Sequence, residues 1–293
     1  MRVGIYGRVL NKPEHKAQVT TLIQLLEKKN IETMIYGPYM DYLLSHKVIS
    51  HACETFIENS FGQAGIDYLI CLGGDGTMLD TLTIVQDSDV PVLGINMGRF
   101  GFLASTQSEN IENALDELCN KSFSIDKRSL LKLESSTPLF GEFSYALNDF
   151  VLHKKDTSSM ITVHTYLNGE FMNSYWADGL IISTPTGSSG YSLSCGGPLL
   201  FPRSSSFAIT PIAPHNLNAR PVVIPDDNVL SFEIEGRGSS FLASLDSRSA
   251  SFGPTIQMAI RKADFSFNMI RLSSENYLST LRNKLMWGLD NRN

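Results

Sequence analysis

The rhythm of apolar and polar positions changes part-way along this chain of 293 residues, near residue 125. Before it, short continuous apolar runs at residues 3–6, 31–36, 68–72 and 90–95 alternate with segments of helical spacing. Unbroken apolar runs of this length predict strands buried on both faces. Leu22, Leu25 and Leu26 recur at helical spacing within residues 14–29 and predict an amphipathic helix, and residues 77–86 and 111–119 read the same way. Strand, glycine turn, helix and strand over residues 68–95 form a βαβ unit, which predicts a parallel sheet covered on both faces.

From residue 130 to about residue 272 the runs become short and alternating, split by turn residues. Residues 160–167 and 170–176 flank Asn168-Gly169, a dipeptide that tolerates the positive φ of a type I′ turn and so predicts a hairpin. This region predicts antiparallel β structure. Helical spacing returns over residues 276–287 through Leu278, Leu281, Leu285 and Met286. The expected class is α/β: a Rossmann-like parallel-sheet domain over residues 1–125 and a predominantly β, sandwich-like domain over residues 126–272. A C-terminal helix over residues 273–293 is expected to pack back on the first domain. The chain shows no internal repeat and no low-complexity tract.

Apolar residues make up 42% of the chain and charged residues 18%, which at this length describes a folded globular protein. The net charge of −6, with no basic stripe, speaks against nucleic acid or an anionic membrane as partner. The longest uncharged stretch, residues 179–202, is too rich in Gly, Ser, Thr and Pro for a membrane span. The start, Met1-Arg2-Val3-Gly4-Ile5, carries no signal-peptide pattern. Cys53, Cys71, Cys119 and Cys195 lie far apart, which suggests neither a zinc site nor a disulfide framework and points to a reducing cytoplasm. The histidines show no metal-ligand spacing, and no GxSxG elbow supports hydrolase chemistry.

Gly73-Gly74-Asp75-Gly76-Thr77 stands between a predicted strand and a predicted helix. Glycines there expose backbone N–H groups beside a helix N-terminus, a natural phosphate cradle. Asp75 would repel phosphate unless its charge has a task, and the simplest task is taking a proton from a hydroxyl nucleophile. On these residues alone, an ordinary Asp-Gly turn accounts for the sequence equally well.

A buried strand starting at Gly179 runs into a hydroxyl-rich loop containing Thr186, Ser189, Gly190, Tyr191, Ser192 and Ser194. Tyr191 offers a face on which a purine can stack, and the hydroxyls reach its polar edges; the alternative is a polar surface loop. Asn148-Asp149 pairs an amide with a carboxylate, which suits the cis hydroxyls of a ribose, although an Asx turn explains the dipeptide alone.

Taken together, the GGDG turn, Gly94-Ile95-Asn96 leading to Gly101-Phe102-Leu103, Asn148-Asp149, Asp178-Gly179 through Ser194-Cys195-Gly196-Gly197-Pro198, and Ala219-Arg220-Pro221 resemble the NAD kinases. The resemblance implies transfer of the ATP γ-phosphate to the 2′-hydroxyl of the adenosine ribose of NAD. It implies Asp75 as the base and Gly73, Gly74, Gly76 and Thr77 around the ATP phosphates. Gly76, Asn148, Asp149, Asp178, Thr186, Ser189, Gly190, Tyr191, Ser192, Ser194 and Ala213 are then the NAD-binding set, with Ser159, Trp176, His215 and Arg248 as further candidates. Also implied are Mg2+ with ATP and a homo-oligomer, dimer or tetramer, whose site takes Asp178 and Ala213 from a neighbour.

Asp149 stands where the family usually has Glu, Ser189-Gly190 where Thr-Ala is common, and Trp176 where a basic residue often precedes the Asp-Gly. Arg248 is a candidate to compensate for the missing cation. A lipid kinase sharing the GGDG turn is the first alternative, yet the hydroxyl-dense loop suits a polar acceptor. The second is a regulator that binds dinucleotide without chemistry, against which stands the retention of Asp75.

Overall fold

A computed structural model describes residues 1–9, 12–98, 101–155 and 159–286. The chain forms two compact units, Met1–Lys127 with Asn268–Asn293, and Arg128–Phe267.

The first unit is built from β1 (Arg2–Gly7), α1 (Pro13–Lys28), β2 (Glu32–Tyr36), α2 (Gly37–Ser45), β3 (Glu54–Phe56), β4 (Tyr68–Gly73), α3 (Asp75–Val85), β5 (Val92–Asn96), β6 (Thr106–Gln107) and α4 (Ile111–Asn120). Its strands pair in parallel in the order β3-β2-β1-β4-β5, with β6 also parallel to β5. Gly7 lies opposite Leu72 and Gly73 opposite Asn96, so β1, β4 and β5 end at one edge of the sheet. This carboxyl edge is where open parallel sheets bind ligands, and the glycine turn begins there.

Helix α1 starts at a proline, whose fixed φ suits a first helical turn, and it buries Val19, Leu22 and Leu26 against the sheet. Leu25, expected on the same face, is partly exposed. Helix α3 begins at Asp75 rather than Thr77, because Gly74 takes the extended N-cap conformation and the first turn can close immediately after it. Helix α2 has too short an apolar pattern to be read from the sequence.

The second unit comprises most of β7 (Ser124–Ser135), β8 (Tyr145–Ala146), β9 (Asp149–Lys154), β10 (Ile161–Leu167), β11 (Glu170–Ala177), β12 (Gly179–Ser183), α5 (Tyr191–Ser194), β13 (Ser206–Ile212), β14 (Val222–Pro225), β15 (Leu230–Glu235), β16 (Phe241–Leu245), β17 (Arg248–Phe252) and most of β18 (Met258–Arg271). One antiparallel sheet runs β14-β13-β12-β9-β16-β17. In the other, β11, β10, β15 and β18 follow one another in antiparallel pairs. Phe150, Leu152, Leu180 and Ile182 of the first sheet share one buried cluster with Ile161, Val163, Phe232 and Ile260 of the second, so this unit is a β-sandwich. Asn168 (φ 52°) and Gly169 (φ 85°) join β10 to β11 in the expected hairpin.

After β18, α6 (Tyr277–Leu285) is capped by Asn276, whose side chain accepts from Leu278 N at 2.9 Å. Trp287, the end of the expected helix, lies outside the described residues. Glu117 of α4 accepts from Ser273 N at 2.8 Å and from Ser273 Oγ at 3.0 Å, and Arg271 pairs with Asp126 at 2.5 Å. These contacts tie the C-terminal segment into the first unit. No helix among the described residues is long and apolar enough to cross a membrane.

Glu117 is a buried carboxyl that holds the C-terminal segment to α4 through Ser273. Glu117→Ala is expected to lower stability by about 1.5–3 kcal/mol, measured by chemical denaturation.

Candidate active site

Strand β4 delivers Gly73 to the sheet edge, and α3 begins two residues later at Asp75. A side chain at Gly73 would overlap that of buried Thr77. At Gly74 and Gly76 the space a Cβ would occupy is open, so a ligand can approach the backbone closely there.

The Asp75 carboxylate is wrapped by the segment after β5. Phe102 N donates to Oδ2 at 2.8 Å, while Leu103 N and Ala104 N donate to Oδ1 at 2.9 and 3.1 Å. A side chain at Gly101 would overlap this carboxylate, which explains the glycine. Asn96, the last residue of β5, steadies the segment: its Nδ2 donates to Ala104 O at 3.3 Å and its Oδ1 accepts from Gly98 N at 2.7 Å. Each carboxylate oxygen has two acceptor positions. Among the described residues, both of those on Oδ1 are taken and Oδ2 keeps one for a further donor.

In the second unit, Asn148 and Asp149 open β9 between β12 and β16. Thr184 N donates to Asn148 O at 2.9 Å and Thr184 Oγ1 to Leu147 O at 2.5 Å, which draws the loop after β12 onto this dipeptide. A side chain at Gly187 would overlap the Asn148 carbonyl, and one at Gly190 would stand 3.8 Å from Asn148 Nδ2. Asp149 is 8% exposed, and no described residue donates to its carboxylate. Burial, and then the charge of Asp246, push its pKa up to about 7.

Asp246, in the turn between β16 and β17, accepts from Leu147 N at 2.8 Å, Asn148 N at 2.7 Å and Asp149 N at 3.1 Å. Its own N donates to Asp149 O at 3.0 Å. Burial raises its pKa to about 6, opposed by the three amides and by Arg248.

The hydroxyl-rich loop divides its side chains. Thr186 is buried and accepts from Arg128 Nη1 at 3.1 Å, and Ser189 Oγ donates to Thr186 O at 3.1 Å. Tyr191 is 43% exposed, and burial of its hydroxyl end raises its pKa. Ser192 turns inward, shares a hydrogen bond of 2.8 Å with Thr210, and leaves no room for a side chain at Gly197. Ser194 is exposed.

Asp178, Trp176, Ala213 and His215 gather near the other end of β12. Lys154 Nζ pairs with Asp178 at 2.5 Å, and Asp178 N donates to Ile212 O at 3.0 Å. The Trp176 and His215 ring centroids lie 4.3 Å apart with the rings tilted at 47°, and His215 N donates to Trp176 O at 2.9 Å. Gly179 lies opposite His153 and Ser183 opposite Asp149. The strand between therefore sets these residues apart from Asn148-Asp149 by about 13 Å along its axis. Arg248 joins neither group: it donates to Phe143 O at 2.6 Å and to Tyr145 O. Ser159 sits partly exposed before β10.

Sequence reasoning passed over Asp246, Arg128 and Thr184 as site residues. Asp246 reaches Asn148 across 98 residues of chain, and its sequence signal is an Asp-Ser turn closing an apolar run. Among the described residues, no group of three or more His, Cys, Asp or Glu converges as a metal site.

Comparison with known proteins agrees with this geometry. Residues 9–123 match the family model described as the ATP-NAD kinase N-terminal domain, and residues 147–272 the ATP-NAD kinase C-terminal domain. Curated NAD kinases from Cytophaga hutchinsonii and Flavobacterium psychrophilum are 47% and 45% identical, each aligned over the whole of both chains. Among solved structures, a yeast NADH kinase in complex with NADH is similar in fold, with a TM-score of 0.86 at 21% identity, covering 99% of this chain and 89% of that one. An Archaeoglobus fulgidus NAD kinase in complex with ATP gives a TM-score of 0.75 at 22% identity, covering 98% and 99%. With both family models matched and full-length relatives at this identity, the chain belongs to the NAD kinase family.

Proposed function

We propose that this kinase transfers the γ-phosphoryl group of ATP to the 2′-hydroxyl of the adenosine ribose of NAD, giving NADP and ADP. Beyond family membership, the observation that carries this reading is Asp149, a buried carboxylate with no donor from any described residue. Burying such a group costs free energy unless a ligand supplies the missing donors, and ribose hydroxyls supply them.

In this reading the amides of Gly73, Gly74, Gly76 and Thr77 hold ATP phosphates at the α3 N-terminus. Asn148 and Asp149 hold the ribose, with Gly76 close to the same NAD. Thr186, Ser189, Gly190, Tyr191 and Ser194 surround the adenine, Tyr191 by stacking, while buried Ser192 fixes the loop. The proton of the 2′-hydroxyl passes to the open position on Asp75 Oδ2 as the oxygen attacks γ-phosphorus. The bond from γ-phosphorus to the bridging oxygen breaks, ADP departs, and the proton is released to solvent.

Mg2+ is proposed to arrive with ATP, ligated by phosphate oxygens and water. The described side chains do not converge as a cage for it. Asp178, Ala213, Trp176 and His215 are proposed to serve the site of a neighbouring subunit in a homo-oligomer. In support, they lie near the opposite end of β12 from Asn148-Asp149, and Trp176 is 46% exposed. Four free cysteines support a reducing, cytoplasmic setting. Arg248 and Ser159 are given no ligand role.

Asp75→Asn keeps the shape of the side chain but cannot take the proton, so kcat should fall by about 10²–10⁴-fold. Retention of near wild-type kcat would remove Asp75 from the role of base.

Asp149 must be ionised to accept from the ribose. Since its pKa is raised to about 7, KM for NAD should rise as pH falls from 8 to 6, and this dependence should vanish in Asp149→Asn. The same shift has an opposite effect on stability. The folded protein keeps a proton that the unfolded chain loses near the ordinary value of 3.8, so stability declines as pH rises from about 4 to 7. Asp149→Asn should therefore raise the melting temperature at pH 8, measured by calorimetry.

Mixing Asp75→Asn and Asp178→Ala subunits should regain activity that neither variant shows alone. Hybrids as inactive as the parents would contradict a shared site.

A further inference from the structure

The carboxylate of Asp246 takes no part in the mechanism above, yet it is the group on which the backbone of Asn148-Asp149 is mounted. We infer that Asp246 is a positioning residue for NAD: it fixes the direction in which Asn148 and Asp149 present their side chains, and so sets affinity for the dinucleotide without touching it. The inference rests on the proposal that Asn148 and Asp149 hold the ribose.

Three consecutive N–H groups, of Leu147, Asn148 and Asp149, converge on the two oxygens of Asp246 at 2.7 to 3.1 Å. A return bond from Asp246 N to Asp149 O closes the link between the β16–β17 turn and the start of β9. Ordinary sheet pairing does not require this. In the antiparallel ladder the β9 and β16 strands already pair from Phe150 opposite Leu245 to Lys154 opposite Phe241. The ladder stops at Phe150, and the two residues with chemistry to do lie just beyond it. Without Asp246 their amides would face no acceptor among the described residues, and the segment from Leu147 to Asp149 would be held only from the β12 side, by Ser183 opposite Asp149 and by Thr184 on the carbonyls of Leu147 and Asn148.

Asp246 is itself held. Its φ of 54° is a left-handed backbone conformation that Asp tolerates better than most residues. Arg248, two residues on, is anchored on the carbonyls of Phe143 and Tyr145 and supplies a fixed positive charge beside it. The arginine that the sequence offered as a substitute ligand for the missing cation at Trp176 is thus part of the support of the Asn148-Asp149 backbone. The same anion that orders the amides also lies near enough to Asp149 to raise its pKa, so positioning and the charge of the ribose acceptor are coupled.

The test is steady-state kinetics and calorimetric NAD binding for Asp246→Asn, Asp246→Ser, Asp149→Asn and the double variant Asp246→Asn/Asp149→Asn. Folding is checked by thermal melting, and rates are taken well below each melting temperature. Asp246→Asn is isosteric but presents an NH2 where one oxygen accepted. It should raise KM and Kd for NAD about tenfold while KM for ATP and kcat at saturating NAD stay within about twofold. In the double variant the penalties should be less than additive, because both act through the same contact. A role confined to fold stability would instead lower the melting temperature and leave the NAD-to-ATP split unchanged. Asp246→Ser keeps an acceptor on a shorter arm and stands in if the asparagine variant does not fold. If Asp149→Asn weakens NAD binding and neither folded Asp246 variant does, the positioning role is overturned. If Asp149→Asn also leaves NAD binding intact, the ribose-site reading fails, and the inference built on it fails with it.

Discussion

Among the described residues, a single carboxylate accepting hydrogen bonds from three successive backbone amides occurs once in each unit, and the functional residues hang on these two arrangements. Asp75 gathers the amides of Phe102, Leu103 and Ala104, and Asp246 gathers those of Leu147, Asn148 and Asp149. Successive amides point to one side only where the backbone turns, and such a concavity wants an anion. Once filled, it is hard to undo, since each released N–H would need a new acceptor. The result is rigidity outside regular secondary structure: Gly101 to Ala104 is locked onto the first turn of α3, and the start of β9 onto the β16–β17 turn.

The carboxylates are treated unequally, and the inequality has chemical content. Among the described residues, Asp75 and Asp246 each accept two backbone N–H groups on Oδ1 and one on Oδ2, Asp246 with a guanidinium beside it, whereas nothing donates to the Asp149 carboxylate. A protein selected for stability alone would not bury Asp149 in that condition. Burial disfavours its charged form, and a ligand that donates to Asp149 favours that form. The open backbone at Gly74 and Gly76 is the complementary feature in the first unit, a place where anionic ligand oxygens meet N–H groups without side-chain obstruction.

Local features were legible in the sequence because their causes are local. Apolar runs and helical spacing located β1, α1, β4 and β5, and Asn168-Gly169 located the hairpin through its need for positive φ. The GGDG turn and the Asn148-Asp149 pair were visible as chemistry without a place. What escaped is what depends on distant chain: the partner of Asp75 comes from residues 102–104, that of Asn148 from Asp246, and the burial of Ser192 from Thr210. Helix α2, with few turns to establish a period, escaped for a different reason. The departures from the family pattern acquire a physical setting. A side chain at Gly190 would stand 3.2 Å from Gly187 O and 3.8 Å from Asn148 Nδ2, and Trp176 lies against His215 with the rings tilted at 47° instead of presenting a cation.

The most direct measurement is 31P NMR of the products formed by the purified wild-type protein from NAD, ATP and Mg2+. The account predicts stoichiometric ADP and a new phosphomonoester signal of NADP at the 2′ position of the adenosine ribose. Folded protein that binds NAD and ATP yet yields no 2′-phosphate, or places the phosphate on another hydroxyl, would contradict it.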